Sequence, residues 1–383
     1  MTPAARIQSA AELLDEILAG RPAEQALTRW ARGNRYAGSK DRAAVRDHVF
    51  DALRCKRSYA AYGGAMTGRG LMIGALRAGG QDPDTLFTGA RHAPAPVNDA
   101  ERAGFGTPDA AEARDLPDWL WPHFETSLRH HAEEEAGLLR QRADVFLRVN
   151  LLKSNVEAAI SALAHDGVVA EPHPLSPTAL RVTEGARRIH LCDAFTNGLV
   201  ELQDAASQAV VDMLPLEPGM RVLEYCAGGG GKSLAMAART SGEIVAHDIS
   251  PERMKDIPQR AARAGARVTC TDHPEGVFDL VLCDAPCSGS GSWRRAPEAK
   301  WRLTPERLEE LTAIQDGILD RAQALVAPGG TLAYATCSVL QQENEARSAA
   351  FLNRTLGWHA TTVRRFRLSE GGDGFFCAVF QRD

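Results

Sequence analysis

Two cysteines that each follow an apolar run are the residues of this chain best suited to chemistry. One run, Phe278–Asp284, has the composition of a buried strand and leads through Pro286 to Cys287 and a loop rich in Ser and Gly. The other, residues 331–336, leads directly to Cys337. The carboxyl ends of strands are where open α/β sheets bind ligands. Free cysteines are often only small buried residues, but two thiols at two strand ends of one domain favour a shared chemical role.

A glycine-rich loop follows the first apolar run of the same domain and leads into a helical pattern, which lets the backbone approach a ligand at a helix N-terminus. It is not a P-loop, because the first glycine of that motif would fall on Cys226. It is not the dinucleotide fingerprint, because the third glycine would fall on Ser233. The interpretation that remains is an S-adenosylmethionine site formed by Cys226, Ala227, Gly228, Gly229, Gly230, Gly231 and Lys232.

Acidic residues follow three successive strands of this domain. Asp248 is expected to accept hydrogen bonds from the ribose hydroxyls, as the corresponding acid does in dinucleotide-binding folds. Asp272 is placed to contact the adenine, and Asp284 ends the strand before Cys287. Two roles are open for Lys232, lowering the pKa of a nearby thiol or binding the cofactor carboxylate, and we favour the second. Each acid alone is also typical of a turn or helix cap, so the combination carries the interpretation.

The composition is that of an ordinary globular protein: 383 residues, 44% hydrophobic and 24% charged, enough for two or three domains. No apolar run has the length of a membrane span, and the N-terminus lacks the pattern of a secretory signal. The eight cysteines include no C-x-x-C pair, so neither a metal site nor a disulfide framework is expected. We therefore expect a cytoplasmic protein with no membrane partner.

The N-terminal region is predicted to be helical and locally basic. Apolar residues recur at helical spacing in residues 5–20, around 26–30, and from Ser39 to Leu53, with no strand pattern between them. The chain has a net charge of −5, yet residues 28–60 carry nine basic and three acidic side chains. This asymmetry suits an RNA-docking surface, although a charge run is also typical of a solvated helix face. The basic residues are Arg29, Arg32, Arg35, Lys40, Arg42, Arg46, Arg54, Lys56 and Arg57.

Three domains are expected: a helical domain over residues 1–140, a small α+β module over 141–204, and a catalytic domain over 205–383. In the catalytic domain strand patterns alternate with helical ones, notably the long helix 303–325. That alternation predicts an α/β fold with a mostly parallel, doubly wound sheet.

The first two domains have further local predictions. Residues 79–115 are rich in Gly, Pro, Ala and Asp and are predicted to form loops and short helical turns, followed by one helix over 125–141. The small module is predicted to contain a strand at 145–150, a helix at 156–165 and two short strands. Residues 198–204 are predicted to be the linker to the catalytic domain.

Four motifs together resemble those of the RsmB/NOP/Sun family of RNA cytosine-5 methyltransferases: the glycine loop 226–232, Asp284-Ala-Pro-Cys287, Ala335-Thr-Cys-Ser338 and Asp373-Gly-Phe-Phe376. The basic helical N-terminus resembles the NusB-like RNA-binding domain of the RsmB branch. Arg148-Val-Asn150 with Lys153 resembles the opening of the family's small RRM-like module. Two departures stand out, Gly228-Gly229 where the family usually has Ala-Pro and Glu224 where it has Asp. The first is expected to make the loop more flexible and to weaken cofactor affinity.

The resemblance implies a Rossmann-like class I S-adenosylmethionine-dependent methyltransferase domain, preceded by the small module and the all-helical NusB-like domain. It implies that Cys337 is the nucleophile that adds to C6 of cytosine. Asp284 would hydrogen-bond the base and protonate N3, and Cys287 would help to remove the C5 proton and release the enzyme. Asp284 and Arg253 join the implied cofactor-binding residues. The implied substrate is RNA, specifically small-subunit rRNA, and the implied assembly is a monomer.

The loop between the two cysteine motifs, residues 291–302, mixes cations with aromatic side chains. Such a mixture suits a splayed-out RNA strand, because bases stack on rings while cations follow the phosphates. The alternative is that either tryptophan belongs to the core. The residues concerned are Trp293, Arg294, Arg295, Lys300 and Trp301.

Several other functions compete with this one. The nearest is a cytosine-5 methyltransferase for tRNA or another RNA. In a DNA cytosine-5 methyltransferase Cys287 would be the nucleophile, which the second thiol and the basic helical domain disfavour. An amino-group methyltransferase is disfavoured because Cys287 replaces the aromatic residue that follows its D-P-P motif. A catalytically silent RNA-binding or ribosome assembly factor would have no need of both cysteines.

Overall fold

The structure is a computed structural model that describes all residues from Met1 to Asp383. Its helices are α1 (Pro3–Leu18), α2 (Ala23–Gly33), α3 (Ser39–Arg54), α4 (Lys56–Gly63), α5 (Gly68–Ala78), α6 (Asp99–Ala103), α7 (Ala110–Ala113), α8 (Trp121–Leu128), α9 (Ala132–Leu139), α10 (Val156–His165), α11 (Asp193–Thr196), α12 (Ala205–Asp212), α13 (Gly231–Thr240), α14 (Ile257–Ala264), α15 (Glu298–Arg302), α16 (Pro305–Ala322) and α17 (Glu345–Arg354). Its strands are β1 (Val145–Val149), β2 (Val169–Pro172), β3 (Ala179–Glu184), β4 (Val200–Leu202), β5 (Val222–Glu224), β6 (Ile244–His247), β7 (Val268–Thr271), β8 (Phe278–Asp284), β9 (Val326–Thr336), β10 (Trp358–Phe366) and β11 (Phe375–Arg382).

The chain forms two compact units. The first consists of Met1–Glu125, His130–Arg142 and Trp293–Arg302, and the second of Thr126–Arg129, Ala143–Ser292 and Leu303–Asp383. Both β-sheets belong to the second unit. The three-domain division with boundaries near 140 and 204 stays a prediction.

The first unit is helical, in agreement with the N-terminal prediction. Its first helix, α1, begins after Thr2, whose hydroxyl accepts a hydrogen bond from Ala5 N at 3.2 Å and so caps the helix. The apolar face of α1 packs with α2, α3 and α5 in a core that includes Leu14, Val45 and Leu71. The core therefore follows from the helical spacing of apolar residues that the sequence shows.

The single helix predicted over residues 125–141 is wrong. The helix α8 ends at Leu128, a 3-10 turn covers Arg129–His131, and α9 begins at Ala132. Arg129 has a φ of 54°, a left-handed conformation that interrupts the α-helical hydrogen bonds. No Gly or Pro stands at this position, so the sequence does not indicate the break. The prediction of loops and short helical turns for residues 79–115 is confirmed by α6 and α7.

The small sheet of the second unit has the order β2-β3-β1-β4, with antiparallel neighbours throughout. The strand β4 lies within residues 198–204, so the prediction that this segment is only a linker is wrong. It pairs with β1, and Arg148 stands opposite Glu201. A strand of three residues is too short to show alternation in the sequence, and it exists because β1 offers a pairing edge.

The large sheet has the order β10-β11-β9-β8-β5-β6-β7. The five strands from β9 to β7 are parallel, and β11 pairs antiparallel with β9 and β10. This confirms the predicted mostly parallel, doubly wound sheet. The strand order reverses between β5 and β8, and doubly wound sheets bind ligands at the carboxyl ends of the strands on either side of such a reversal.

Three further features bear on the class of protein. No helix of this structure combines the length and the apolar character needed to cross a bilayer. All eight cysteines are free thiols. No three His, Cys, Asp or Glu side chains are grouped in a way that would hold a metal ion.

Candidate active site

The carboxyl ends of β8 and β9 bring the two strand-end cysteines together. The strands are parallel neighbours with Asp284 opposite Ala335, and Ala285 N continues the pairing by donating to Ala335 O at 2.8 Å. The Sγ atoms of Cys287 and Cys337 lie 3.4 Å apart, which is hydrogen-bonding distance for sulfur and far longer than the roughly 2.05 Å of a disulfide. The structure thus places both predicted catalytic thiols in direct contact.

The two thiols differ in their surroundings. The hydrogen bond with Cys337 and burial together raise the pKa of Cys287 well above the ordinary value of a thiol. Cys287 therefore keeps its proton at neutral pH. A pair of this kind can supply one nucleophile and one group that handles a proton.

The motif at residues 373–376 supports the loop after Cys287 through a close approach of two glycine backbones. Gly374 N donates to Gly291 O at 2.9 Å, and Gly291 N donates to Cys337 O at 3.0 Å. A Cβ atom on Gly291 would lie 1.9 Å from Gly374 O, so no larger residue fits at position 291. The distant motif is therefore part of the scaffold that fixes both cysteine loops.

A fully buried carboxylate, Glu343, connects the two cysteine loops and is absent from the predicted site. It accepts hydrogen bonds from Ser288 N at 2.7 Å and Ser288 Oγ at 2.5 Å, and from Ser338 Oγ at 2.5 Å. A fourth donor is Gln315 Nε2 on α16, at 3.1 Å. One side chain thus holds both residues that directly follow the cysteines, and every one of these bonds is shielded from water.

The sequence offers only a weak signal for Glu343. Polar residues between a strand and a helix are ordinarily interpreted as a helix cap. The neighbouring Asn344 is also buried, where its amide donates to Ser338 O at 2.8 Å and its Oδ1 accepts from Thr336 Oγ1 at 2.5 Å. Two consecutive polar side chains that both turn back toward a strand-end cysteine are visible only in the tertiary structure.

Asp284, at the end of β8, is paired with Lys232 in the first turn of α13. Lys232 Nζ donates to Asp284 Oδ2 at 2.6 Å from a nearly buried side chain. Burial by itself would lower the pKa of Lys232, but the charge of Asp284 and this hydrogen bond raise it above its ordinary value, so the lysine stays charged. That Lys232 binds the cofactor carboxylate stays a prediction. In the structure its ammonium group contacts Asp284.

The glycine loop between β5 and α13 is anchored by Asp248, which is 2% exposed. Gly228 adopts a φ of 51°, and its N–H donates to Asp248 Oδ2 at 2.9 Å. Ser250 N donates to Oδ1 of the same carboxylate at 3.0 Å, and Arg253 Nη1 lies 3.1 Å from Oδ2. Three predicted cofactor residues, Gly228, Asp248 and Arg253, are therefore adjacent at the carboxyl edge of the sheet.

Burial raises the pKa of two residues around the end of β5. Burial raises the pKa of Glu224 to about 7, and this side chain accepts a hydrogen bond from the Ser233 hydroxyl. Burial also raises the pKa of Cys226 to about 12, so this thiol is no nucleophile at neutral pH. The loop is therefore a binding element, and the thiol chemistry belongs to Cys287 and Cys337.

A groove of about 580 Å³ opens beside Asp272, the predicted adenine contact. Its walls include Pro251 and Met254, so apolar surface meets an exposed carboxylate. An adenine ring needs flat apolar contact and an acceptor for its amino group. With buried Asp248 available for ribose hydroxyls and Gly228 for close backbone approach, the residues present fit an adenosyl cofactor.

The segment 291–302, which was predicted to suit an RNA strand, is largely core in the first unit, and that prediction is wrong for Trp293 and Lys300. Trp293 is fully buried and stacks on Phe124 with ring centroids 6.2 Å apart. Lys300 is fully buried, donates to Arg54 O at 2.7 Å, and has a pKa that burial lowers to about 8. Cations and rings therefore anchor this segment among helices, which a sequence pattern cannot distinguish from a stacking surface.

The nine basic residues of segment 28–60 divide into two groups. Five have an acid or an aromatic ring as partner inside the first unit: Arg29, Arg46, Arg54, Lys56 and Arg57. Four are exposed and have no ion pair: Arg32, Arg35, Lys40 and Arg42. These four lie on or between α2 and α3, together with exposed Tyr36. Only they are available to phosphate groups without breaking an existing pair.

Comparison with known proteins gives two family matches along this chain. Residues 211–381 match the family model described as 16S rRNA methyltransferase RsmB/F, and residues 116–188 match the RsmF/B-like ferredoxin-like domain. The ribosomal RNA small subunit methyltransferase B of Citrobacter koseri is 34% identical over 287 residues, which cover 70% of this chain and 67% of that protein. The protein of the same name from Salmonella arizonae is 33% identical over 292 residues, covering 72% and 67%.

Solved structures with a similar fold confirm the predicted Rossmann-like methyltransferase architecture. The crystal structure of PH0851 has a TM-score of 0.77 at 23% identity and covers 100% of this chain and 99% of that chain. NSun6 from Pyrococcus horikoshii, solved with SFG, has a TM-score of 0.62 at 18% identity and covers 70% of this chain and 98% of that chain.

Proposed function

Because this chain belongs to the RsmB/F family of S-adenosylmethionine-dependent methyltransferases, we propose that it is an RNA cytosine-C5 methyltransferase that acts on small-subunit rRNA. The observation that carries the proposal is the contact between Cys287 and Cys337, with 3.4 Å between their Sγ atoms. Methyl transfer to a nitrogen or oxygen has no need of a covalent nucleophile, whereas methylation of C5 does. The names of the two bacterial relatives support rRNA as the substrate.

The proposed reaction begins with Cys337. Its thiolate adds to C6 of cytosine, and the new sulfur–carbon bond turns C5 into an enamine-like carbon that is nucleophilic. The cofactor, when bound, supplies an electrophilic methyl group. After C5 is methylated, loss of the C5 proton breaks the bond between C6 and sulfur and restores Cys337.

Cys287 is proposed to accept the C5 proton. Its raised pKa has two consequences, which both fit this role. In the resting site Cys287 is protonated and does not compete with Cys337 as nucleophile. As the Cys337 sulfur leaves C6, Cys287 passes its proton to that sulfur across the 3.4 Å contact, and the same high pKa makes the resulting Cys287 thiolate a strong base for the C5 proton.

Asp284 and Lys232 are proposed to handle the charge that develops on the ring. Asp284 hydrogen-bonds the base and, as the thiolate adds, relays to N3 a proton that it receives from Lys232. Lys232 supplies that proton through the hydrogen bond of 2.6 Å between its Nζ and Asp284 Oδ2. The raised pKa of Lys232 keeps its proton in place until the ring gains negative charge.

Glu343 is proposed to be a positioning residue, because its hydrogen bonds go to the residues beside the two thiols. Its hydrogen bonds to Ser288 and Ser338 fix the residues that follow each cysteine. Its charge also contributes to the raised pKa of Cys287. A fixed distance between the two sulfurs is what an attack on C6 followed by proton removal at C5 requires.

The RNA is proposed to contact the exposed cations of the first unit. Arg32, Arg35, Lys40 and Arg42 are unpaired, and exposed Tyr36 lies among them in the sequence. Cations neutralise phosphates, and an exposed ring can stack on an unpaired base. This combination is the ordinary composition of a single-strand RNA surface.

The experiment that tests the proposed function is methylation of small-subunit rRNA that lacks base modifications, with S-adenosylmethionine labelled in the methyl group. The expected product is labelled 5-methylcytosine in that RNA after digestion to nucleosides. Fully modified small-subunit rRNA is the matched control and should accept no label. Label in another nucleoside would overturn the C5 chemistry, and preferential labelling of tRNA or DNA would overturn the substrate.

A further inference from the structure

The sequence motif Arg148-Val-Asn150, which the proposed function does not use, lies against the cofactor loop in the structure. Arg148 is 5% exposed, and its Nη1 donates to Gly231 O at 2.6 Å and to Gln203 Oε1. Gly231 is the last glycine of the loop and the first residue of α13. A side chain from the small sheet therefore holds the point at which the loop becomes a helix.

A second arginine holds the same loop two residues earlier. Arg260, on α14, donates from Nη1 to Gly229 O, and its Nη2 lies 3.5 Å from Glu201 Oε1. Glu201 stands opposite Arg148 in the pairing of β1 with β4, so the two side chains share one face of the small sheet. Arg263 Nη2 also donates to Glu201, at 2.7 Å. The small sheet thus orients both guanidinium groups that contact the loop.

Asn150 and Lys153, the other residues of this motif, make hydrogen bonds with α14. Asn150 Nδ2 donates to Ala264 O at 2.8 Å, and Lys153 Nζ donates to Arg263 O at 2.6 Å, which are carbonyl groups at the C-terminal end of α14. Carbonyl groups in the last turn of a helix lack intrahelical donors. Segment 148–153 therefore directs its polar side chains to the helix and the loop beside the cofactor site.

We propose that the small module contributes to the S-adenosylmethionine site. In this site Arg148 and Arg260 are positioning residues that hold the glycine loop in the conformation that binds the cofactor. The inference rests on the role of this loop in cofactor binding. Four consecutive glycines have more conformational freedom than any other tetrapeptide, and ordering them on binding costs free energy. Two carbonyl groups held by arginines restrict that freedom before the cofactor arrives, and such preorganisation raises affinity.

The proposal is tested by titration of S-adenosylmethionine into the full-length protein, followed by calorimetry. Arg148→Met keeps the length of the side chain and removes its donors, while Glu201 retains Arg260 and Arg263 as partners. The expected result is an affinity about tenfold lower, the effect of losing one charge-assisted hydrogen bond to the loop. The unfolding midpoint without cofactor should fall, because Gly231 O and Gln203 Oε1 lose their donor, so the titration is run well below that midpoint. Arg148→Lys, which keeps one donor, should lie between Met and wild type.

Two further variants complete the test. Arg181→Met is the matched control, because Arg181 belongs to the same small sheet but pairs with Glu171 at the surface, and its affinity should equal that of wild type. Arg260→Gln removes the second arginine that holds the loop, at a partly exposed site, and should weaken S-adenosylmethionine binding several-fold. It tests the proposal if Arg148→Met does not fold. We call Arg148→Met and Arg260→Gln the clamp variants. Hydrogen exchange of the amides at 228–231 should accelerate in both clamp variants.

The outcomes separate this proposal from the proposed function. Wild-type affinity in both clamp variants overturns it. An affinity loss that appears equally in Arg181→Met, or one without faster hydrogen exchange of the amides at 228–231, also overturns it, since a purely structural role would then suffice. A wild-type protein that binds no S-adenosylmethionine would remove the cofactor assignment itself, and this inference with it.

Discussion

Cys287 and Cys337 are 50 residues apart in the chain, and their Sγ atoms are 3.4 Å apart in the fold. The register of β8 and β9 brings the two loops together, and the residue after each cysteine donates a hydrogen bond to Glu343. The proposed reaction gives the two sulfurs different roles, with Cys337 as the nucleophile and Cys287 as the group that accepts the C5 proton. Removing one or the other should therefore arrest the proposed reaction at different stages.

The first prediction concerns a covalent adduct with RNA. Cys337→Ala has no nucleophile and should form no adduct and no product. Cys287→Ala should still attack C6 and transfer the methyl group, then stall because the C5 proton is not removed. Denaturing electrophoresis should show an RNA-shifted band for Cys287→Ala and none for Cys337→Ala.

The exposed thiol of Cys270, on the edge strand β7, provides the control, and Cys270→Ala should behave as wild type. If Cys287→Ala formed no adduct and Cys337→Ala still formed one, the mechanism would be of the DNA type and Cys287 would be the nucleophile. No adduct in any variant would mean that the two cysteines are only packed together.

The second prediction concerns Asp248 and the cofactor. Asp248→Ala removes two ribose hydrogen bonds to a charged acceptor, which should cost roughly 2–4 kcal/mol of S-adenosylmethionine binding. Titration calorimetry measures this loss. Asp256→Ala is the control, because Asp256 is exposed and its side chain caps no helix N–H. Unchanged affinity in Asp248→Ala would contradict the prediction that Asp248 binds the ribose hydroxyls.

The third prediction concerns the positioning role of Glu343. Glu343→Gln turns one acceptor oxygen into a donor that faces donating hydroxyl groups, which should lower the free energy of unfolding by roughly 1–3 kcal/mol. In a Cys287→Ala background it should slow adduct formation about 10- to 100-fold with little change in RNA affinity. Glu345→Gln, which affects only a partly exposed pair with Arg365, should do neither. Equal adduct rates would leave Glu343 a stabilising residue alone.

The fourth prediction concerns pH and Glu224. Burial raises its pKa in the folded state to about 7 from the ordinary 4.5. The folded protein therefore binds this proton more tightly, and its contribution to stability is complete below about pH 4.5 and lost as the pH rises through 7. Glu224→Gln mimics the protonated form and should be more stable than wild type at pH 8 by roughly 1–3 kcal/mol, but not at pH 4.5. Urea unfolding of both proteins at pH 8 and pH 4.5 measures this difference. The same difference in stability at both pH values would contradict the prediction.

The fifth prediction concerns RNA binding by the first unit. Deleting residues 1–60 would remove α1 to α3 and part of α4, and with them most of the helical core, so substitution is the cleaner test. Replacing Arg32, Arg35, Lys40 and Arg42 by Gln should lower the salt dependence of RNA binding, by about 0.7 in the logarithmic slope per lost phosphate contact. A control with the same loss of charge uses paired surface residues, namely Arg181, Lys255, Arg307 and Arg364. Equal slopes in the two variants would mean that the four cations contact solvent only.

Much of the catalytic half could be predicted from local pattern. The strand Phe278–Asp284 has the predicted bounds, and the glycine loop lies between a strand and a helix as expected. Apolar runs of strand length and glycines at a strand end are local signals, because the residues that form each element are consecutive in the chain. The same holds for the N-terminal helices, because the apolar spacing that predicts each helix lies within that helix.

The errors have a common physical origin in partners that are distant in the chain. The strand β4 has three residues and depends on β1 for its hydrogen bonds. Trp293 and Lys300 have the composition of an RNA contact and are buried among helices of the first unit. The break at Arg129 is a backbone conformation with no characteristic residue type. None of these features is encoded in the neighbouring residues alone.

The sequence by itself determined which chemical groups this protein has and on which strand ends they stand: two thiols, an acid before the first of them, and a glycine loop beside them. Only the tertiary structure decided how those groups act on one another. It paired Lys232 with Asp284, placed Glu343 behind both cysteine loops, and set Arg148 on the glycine loop. The reason is that protonation and orientation depend on burial and on hydrogen-bond partners, and both are properties of the packed chain.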